Sequence, residues 1–130
     1  MISFEVPVRP VAFARSGIHG KRHYTPKRQA TYRESVRLFA KLAMGSSKPL
    51  RGPVALNITA QYQYTTKMSN ERKNSVLWKT TRADLDNCIK EVADALNTIC
   101  FVDDAQVASI IAQKVWGPES LVRIQITELE

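Results

Sequence analysis

Four aspartates in two short segments are the residues of this sequence best suited to chemistry. Asp84 and Asp86 stand in the run Arg82-Ala-Asp-Leu-Asp-Asn87, and Asp103 and Asp104 follow sixteen residues after that run. Hard divalent ions such as Mg²⁺ prefer carboxylate oxygens as ligands, and such ions promote phosphodiester hydrolysis. The first pair opens a predicted helix and the second precedes a predicted strand. If that strand packs beside the helix, the carboxylates converge on a candidate metal site.

The rest of the chain is strongly basic. Residues 1–82 contain 16 of the 19 lysines and arginines, whereas residues 83–130 contain nine of the twelve acidic residues. A net charge of +7 and an isoelectric point near 9.7 favour a polyanion as partner. Nucleic acid is favoured over a membrane, because no basic amphipathic helix with a bulky apolar face is visible and no apolar run approaches the ~20 residues of a membrane span. The charge pattern therefore indicates metal-dependent chemistry on nucleic acid.

Structural alternatives exist for the acidic residues. Asp84 could simply cap the helix, since carboxylates are favoured at helix N-termini. The run from Asp84 also resembles the start of an EF-hand loop, which requires Gly at its sixth position and Glu at its twelfth. Those positions hold Ile89 and Ala95. The calcium-loop interpretation is therefore excluded, whereas a helix-capping role for Asp84 remains an alternative to metal binding.

Lys90 follows Asp86 by one helical turn. It could form an ion pair with Asp86 or Asp94, worth roughly 0.2–0.5 kcal/mol. It could instead contact a scissile phosphate and stabilise the charge that develops there. We favour the second interpretation, because the neighbouring acidic residues are themselves candidates.

Segment 65–81 is basic and shows little apolar periodicity, which predicts an exposed, mobile loop beside the acidic run. The residues predicted to bind the nucleic-acid backbone are Arg15, Lys67, Arg72, Lys73, Lys79 and Arg82. Trp78 in this loop is a better candidate for base stacking than Trp116, which is expected in the core. Arg33, Arg37 and Lys41 recur every four residues, so they share one helical face that is either solvated or follows a backbone.

Apolar periodicity predicts a single α+β domain over residues 1–130, with a mostly antiparallel sheet and two helices. Strands are predicted at 2–8, 54–64, 107–116 and 121–127, the last two as partners joined by a turn at 117–120. One helix is predicted from Thr25-Pro26 to Gly45, with Tyr32, Val36, Phe39 and Ala43 as its apolar stripe. The other spans about 84–97, with Leu85, Ile89, Val92 and Leu96 as its stripe. Residues 15–23 are predicted to form a basic loop.

The two cysteines, Cys88 and Cys100, are predicted to be small buried groups in a reducing compartment. The N-terminus has no export signal, so a cytoplasmic location is expected. His19 and His23 lack the spacing of a zinc site with these cysteines.

The acidic run resembles the RusA family of Holliday junction resolvases. The resemblance rests on Asp84-Leu-Asp-Asn-Cys-Ile-Lys-Glu-Val-Ala-Asp-Ala-Leu-Asn97 and on Val102-Asp-Asp-Ala-Gln-Val107. The family pattern is a D-L-D-N helix start, a lysine one turn later, a D-A-L ending and D-D-x-x-V before a strand. Ala83 stands where the family often has a basic residue, and Arg82 precedes it. Weaker agreement extends over nearly the whole chain.

The resemblance implies a function and roles for individual residues. Asp84, Asp86 and Asp104 match metal-binding acids, and Lys90 matches a catalytic lysine. The implied ion is Mg²⁺, with Mn²⁺ as an alternative, and the implied assembly is a homodimer on four-way junction DNA. The resulting hypothesis is a Mg²⁺-dependent endodeoxyribonuclease that resolves Holliday junctions at the bacterial nucleoid, encoded by a chromosome, prophage or phage. The alternatives are a non-catalytic DNA-binding module and a nuclease for flap or other branched DNA.

Overall fold

A four-stranded sheet forms the centre of the structure. The computed structural model describes residues 1–13, 17–19, 22–24, 27–75 and 77–130, with the backbone alone at 17–19 and 22–24. The sheet contains β1 (Ile2–Val6), β4 (Val54–Gln63), β5 (Val107–Gly117) and β6 (Leu121–Glu128). A separate two-stranded antiparallel sheet contains β2 (Gly17–His19) and β3 (Arg22–Tyr24). The helices are α1 (Lys27–Met44), α2 (Asn70–Ser75) and α3 (Leu85–Leu96). The α+β class is confirmed, and α2 is a third helix that was not predicted.

The strand order β1-β6-β4-β5 corrects one predicted pairing. β5 and β6 are consecutive but do not pair, because β4 lies between them. β4 pairs antiparallel with β6 and parallel with β5, and β6 pairs antiparallel with β1. Parallel neighbours need a crossover connection, which α3 provides here between β4 and β5. β4 takes the central position because its alternate residues Val54, Leu56, Ile58, Ala60 and Tyr62 are all buried.

The core lies between the sheet and the two long helices. α1 packs against α3 and β1. The predicted burial of Tyr32 and Val36 is confirmed, whereas Ala43 is exposed and Ala40 and Met44 are buried instead. The spacing of four from Tyr32 to Met44 keeps these side chains on one face. Gly45, at φ 55°, ends the helix as predicted, while Thr25 and Pro26 lie outside the described residues.

On α3 the buried face is rotated from the predicted one. Val92 and Leu96 are buried as predicted, but Leu85 and Ile89 are only half-buried. Cys88, Glu91 and Ala95 complete the buried face. Both cysteines are free and buried, as predicted.

Two segments predicted as loops contain regular structure. The described part of 15–23 includes the β2–β3 pairing. In segment 65–81, α2 begins after Ser69, whose hydroxyl accepts a hydrogen bond from the Arg72 amide at 3.1 Å. Trp78 then pairs with Val115, so this stretch extends the sheet beyond the edge strand β5. No helix within the described residues is long and apolar enough to cross a membrane.

Candidate active site

Asp84 stands at the N-cap position of α3, but its side chain does not act as a cap. The residue is extended, with φ −70° and ψ 139°, and the carboxylate makes no capping hydrogen bond. Only the Asp84 backbone carbonyl enters the helix, accepting from the Cys88 amide at 3.2 Å. The side chain is exposed. The structural alternative considered for this residue is therefore not realised.

Asp86 lies in the first turn of α3, where the positive end of the helix dipole favours a negative charge. One of its carboxylate oxygens, Oδ1, accepts a hydrogen bond from the Asn87 amide at 3.0 Å. The residue is exposed. Asp84 and Asp86 thus present two carboxylates at the same helix end.

Asp103 and Asp104 have different roles. Asp103 caps the 3₁₀ turn Asp104–Gln106: its carboxylate accepts from the Ala105 amide at 3.2 Å, and Gln106 Oε1 accepts from the Asp103 amide at 2.9 Å. Gln106 Nε2 also donates to the carbonyls of Leu50 and Gly52, which ties the turn to the start of β4. The Asp104 carboxylate takes no part in this cap and is exposed.

The charges around Asp104 indicate which groups lie near it. A hydrogen bond to the Asp103 side chain raises the pKa of Asp104 above its ordinary value. The negative charges of Asp103 and Asp94 act in the same direction, while Lys90 opposes them. Asp94 and Lys90 of α3 are therefore among the charged groups that act on the Asp104 carboxylate.

Lys90 forms the predicted ion pair and still keeps an accessible ammonium. Its Nζ lies 3.8 Å from Asp94 Oδ2 and 4.8 Å from the centre of the Phe13 ring. Asp94 is also 3.9 Å from Arg33 Nη2. The Lys90 side chain nevertheless remains 52% exposed. The ion pair with Asp94 and a contact with a phosphate are thus compatible roles for Lys90, because the pair orients an ammonium group that solvent or a ligand can reach.

The predicted acids do not form an assembled metal cage. In the parts of the chain that the structure describes, no three acidic, cysteine or histidine side chains are close enough to hold a metal ion. Like-charged carboxylates repel one another without a cation to neutralise them. The donor chemistry nonetheless suits Mg²⁺, because Asp84, Asp86 and Asp104 present exposed carboxylate oxygens that no capping bond uses.

Lys79 does not lie where the sequence interpretation placed it. It is only 6% exposed, and its ammonium donates to the Thr81 carbonyl at 3.2 Å, to Thr81 Oγ1 at 2.9 Å and to the Arg82 carbonyl. The ammonium also lies 4.8 Å from the Tyr62 ring centre and 5.1 Å from that of Trp116. Burial lowers the pKa of Lys79, and the charges of Lys114 and Arg9 add to this effect. Lys79 therefore faces the protein interior.

Lys114 is a site residue that sequence reasoning missed. From β5 its ammonium donates to the Thr81 carbonyl at 2.7 Å and to the Ala83 carbonyl. Together with Lys79, it holds the backbone of residues 81–83, immediately before Asp84. The available signal was a lysine that alternates with Ala112 and Trp116 on one face of a mostly apolar strand.

The other predicted DNA-binding residues occupy varied positions. Lys67 and Arg72 are exposed and line a recess of about 290 Å³ together with Thr81 and Trp116. Lys73 is half-buried and lies 5.8 Å from the Tyr64 ring centre. Arg82 is exposed, and Arg15 lies outside the described residues. Trp78 is 56% exposed, whereas Trp116 is half-buried.

A buried ion pair joins the two long helices, and it was also missed. Glu91 is fully buried, and Arg33 donates to it through Nε at 2.9 Å and Nη2 at 3.0 Å. Arg37 donates to the carbonyls of Ala95 and Asn97 at the end of α3. At these two positions the basic face of α1 is therefore partly buried and bound to α3. It fixes α3, and with it the helix end that carries Asp84 and Asp86.

The same acidic segments lie within a family match that spans most of the chain. A family model described as "Endodeoxyribonuclease RusA" matches residues 7–127. The chain belongs to the RusA endodeoxyribonuclease family. Among curated relatives, this RusA-family chain is 29% identical to the "Uncharacterized protein YqaN" of Bacillus subtilis (strain 168) over 140 aligned positions. That alignment covers 98% of the chain and 96% of the relative.

A phage protein is a second relative of this RusA-family chain. It is the "Crossover junction endodeoxyribonuclease rusA" of Lactococcus phage r1t, 32% identical over 77 positions. That alignment covers 58% of the chain and 56% of the phage protein.

Proposed function

We propose that this protein is a Mg²⁺-dependent, structure-specific endodeoxyribonuclease that resolves Holliday junctions by paired phosphodiester hydrolysis. The observation that carries the proposal is the exposed Asp84 carboxylate, which stands at a helix start without capping it. Membership of the RusA family supports a nuclease, and the printed name of the phage relative supports junction DNA as the substrate.

Asp84, Asp86 and Asp104 would hold the ion, Mg²⁺ or alternatively Mn²⁺. When bound, the ion supplies Lewis-acid polarisation of the scissile phosphate. Lys90 contacts a non-bridging oxygen of that phosphate and stabilises the negative charge that develops on it. Asp94, 3.8 Å from the Lys90 ammonium, holds that cation beside it, one turn away on α3.

Lys67, Arg72, Lys73 and Arg82 bind the DNA backbone, and Arg15 is assigned the same role from the sequence. Lys67 and Arg72 lie beside Thr81, which adjoins Arg82, so this surface continues into the segment before Asp84. We assign Lys79 a different role from the one predicted. With Lys114 it positions residues 81–83, since its ammonium is buried against their carbonyl and hydroxyl oxygens.

A homodimer would place two active sites on the two symmetric strands of a junction. The edge strand β5 offers a surface for a second copy. Residues 77–79 cover its outer edge near Val115, but within the described residues no strand pairs with that edge over 107–113. Ile110 and Ile111 are exposed there, and an open apolar edge is a template for pairing.

We expect sedimentation to give twice the 14.7 kDa chain mass, and Ile111→Lys to yield a monomer. A monomeric wild-type protein would refute the dimer.

The decisive test is Asp86→Asn on synthetic four-way junctions with Mg²⁺. Cleavage is expected to be abolished while junction binding in EDTA persists, because the variant removes one charged ligand and keeps the side-chain shape. Glu34→Gln, an exposed acid on α1, is the matched control and should cleave normally. Cleavage by Asp86→Asn at the wild-type rate would show that the site is assigned wrongly.

A substrate panel separates this proposal from its alternatives. Junction, flap, duplex and single-stranded DNA are compared in the cytoplasmic range of Mg²⁺ concentration, consistent with the bacterial or phage setting of the relatives. Preference for the junction, with two symmetric nicks, supports resolution. Faster cleavage of flaps would favour a different branched-DNA nuclease. No cleavage, together with no thermal stabilisation by Mg²⁺ or Mn²⁺, would favour a non-catalytic DNA-binding module.

A further inference from the structure

A recess of about 500 Å³ next to the candidate active site contains three arginines, Arg9, Arg28 and Arg82. The recess also contains the buried residues Tyr62 and Gln29. Among the residues that the structure describes, no acidic one lines it. Among the described ion pairs, none includes any of the three arginines. Like charges that lie close together without acidic partners favour the binding of an anion.

The recess adjoins the candidate site on two sides. Ala83, which directly precedes Asp84, lines one part of it, and residues 10–12 line another. The next residue, Phe13, donates its amide hydrogen to the Asn87 carbonyl at 2.9 Å in the first half of α3. The Phe13 ring lies 4.8 Å from the Lys90 ammonium. An anion in the recess would therefore lie near both Asp84 and Lys90.

The cationic groups around Tyr62 make the recess electropositive. Arg9 lies over the Tyr62 ring, 5.3 Å from its centre, and the buried Lys79 ammonium also contacts this ring. Burial raises the pKa of Tyr62, while the charges of Arg9 and Arg28 oppose the rise. Both guanidinium groups thus act on the Tyr62 hydroxyl.

A second recess continues the basic surface. It has a volume of about 570 Å³ and shares Arg9, Val11 and Arg28 with the first, and it adds Lys27. The described part of the chain contributes no acidic residue to this recess either. Arg9 and Arg28 therefore line both of two adjoining recesses, the first of which also includes Ala83, the residue before Asp84.

We propose that Arg9 and Arg28 bind a backbone phosphate of the DNA strand being cut, adjacent to the scissile phosphate. The proposal rests on the proposed nuclease function and extends it to residues outside the acidic segments and the 65–81 loop. A guanidinium group fits a phosphate through paired N–H donors, and the volume is within the range of small-molecule sites. Such a contact fixes the register of the strand relative to Asp84 and reads no base sequence.

The test replaces single phosphates of the cut strand with neutral methylphosphonates. Junctions carrying one replacement at successive positions are bound to the wild-type protein in EDTA, and affinity is measured by fluorescence anisotropy. We expect a loss of about tenfold at one position within a few nucleotides of the cut, since a charge-assisted contact is removed. Arg9→Gln and Arg28→Gln should bind the unmodified junction more weakly, with a salt-dependence slope smaller by about one.

The diagnostic result is the combination of the two changes. In the double variant Arg9→Gln/Arg28→Gln, the methylphosphonate at the sensitive position should cause no further loss, because both protein partners of that phosphate are already missing, and each single variant should show a smaller loss than the wild type. Arg51→Gln, an exposed arginine in the connector before β4, is the matched control and should keep the full positional effect. A uniform effect of the replacement at all positions in the wild type would overturn the proposal, as would unchanged affinity in both arginine variants.

The outcome is independent of the catalytic assignment. Binding is read without metal, so loss of cleavage in Asp86→Asn neither produces nor hides the positional effect. If the wild-type protein binds no DNA, both the proposed function and this site are refuted. If it binds and cleaves junctions without a sensitive position, only the arginine site is refuted.

Discussion

Replacing Arg33 with methionine is expected to destabilise the fold more than replacing its partner Glu91. The two side chains form a bidentate ion pair between α1 and α3, with hydrogen bonds of 2.9 and 3.0 Å. Their exposure is unequal, at 34% for the arginine and 0% for the glutamate. Arg33→Met therefore leaves a buried carboxylate without its cationic partner. Glu91→Met leaves a guanidinium that can turn towards solvent and towards Asp94, 3.9 Å away.

The size of the effect follows from this asymmetry. Removing one partner of a buried ion pair costs about 3–5 kcal/mol in the free energy of unfolding. Because Arg33 is one-third exposed, its removal admits some water, and we expect the lower end, about 3 kcal/mol. Glu91→Met should cost about 1 kcal/mol, the typical value of a hydrogen bond. The double replacement leaves no uncompensated charge, so it should lie within about 1 kcal/mol of the wild type.

Urea unfolding followed by tryptophan fluorescence measures these differences. With a slope of about 1.5 kcal/mol per M, a loss of 3 kcal/mol lowers the midpoint by about 2 M. Lys41→Met, an exposed position on α1, is the control and should change stability by less than about 0.5 kcal/mol. Equal losses in the two single variants would refute the reasoning. So would a double variant no more stable than Arg33→Met.

Two further predictions concern the site and the core. Lys114→Met removes the donor to the Thr81 and Ala83 carbonyls, so cleavage should slow about tenfold or more while junction affinity in EDTA stays nearly constant. Lys114→Arg should recover part of the cleavage rate. A parallel loss of junction affinity would contradict a positioning role. Neither cysteine should react with Ellman's reagent at pH 8 before urea is added, because both are buried. Burial also raises the pKa of Cys100 to about 11, which keeps its thiol protonated at that pH. Rapid reaction of the native protein would show that the core is open.

The elements that the sequence predicted well are those with an uninterrupted apolar period. The alternation from Val54 to Tyr62 predicted β4, because every second side chain there enters the core. The pairing of β5 could not be predicted in the same way. A short turn at 117–120 favours a hairpin with β6, whereas the observed parallel pairing with β4 depends on how α3 packs against the sheet. α2 escaped prediction because its six residues bury no side chain.

The candidate site residues that the sequence could suggest are those that would act through their own chemistry. The exposed carboxylates of Asp84, Asp86 and Asp104 could be selected from spacing and family resemblance. Lys79, Lys114 and Glu91 act through partners that are distant in sequence, such as the Arg33 guanidinium for Glu91. Lysine and glutamate are seldom buried, so composition alone favoured solvent for all three. Their positions follow only from tertiary packing.

The central position of β4 has a consequence for amide hydrogen exchange. Because β5 and β6 pair with its two edges, β4 amides can exchange only when the sheet itself opens, on the slowest timescale of the molecule. The described residues of 64–75 and 77–83 carry few buried side chains and should exchange much sooner. Protection that DNA confers on residues 64–83 or on 9–13 would therefore be measured within minutes, while β4 serves as an internal reference that does not change.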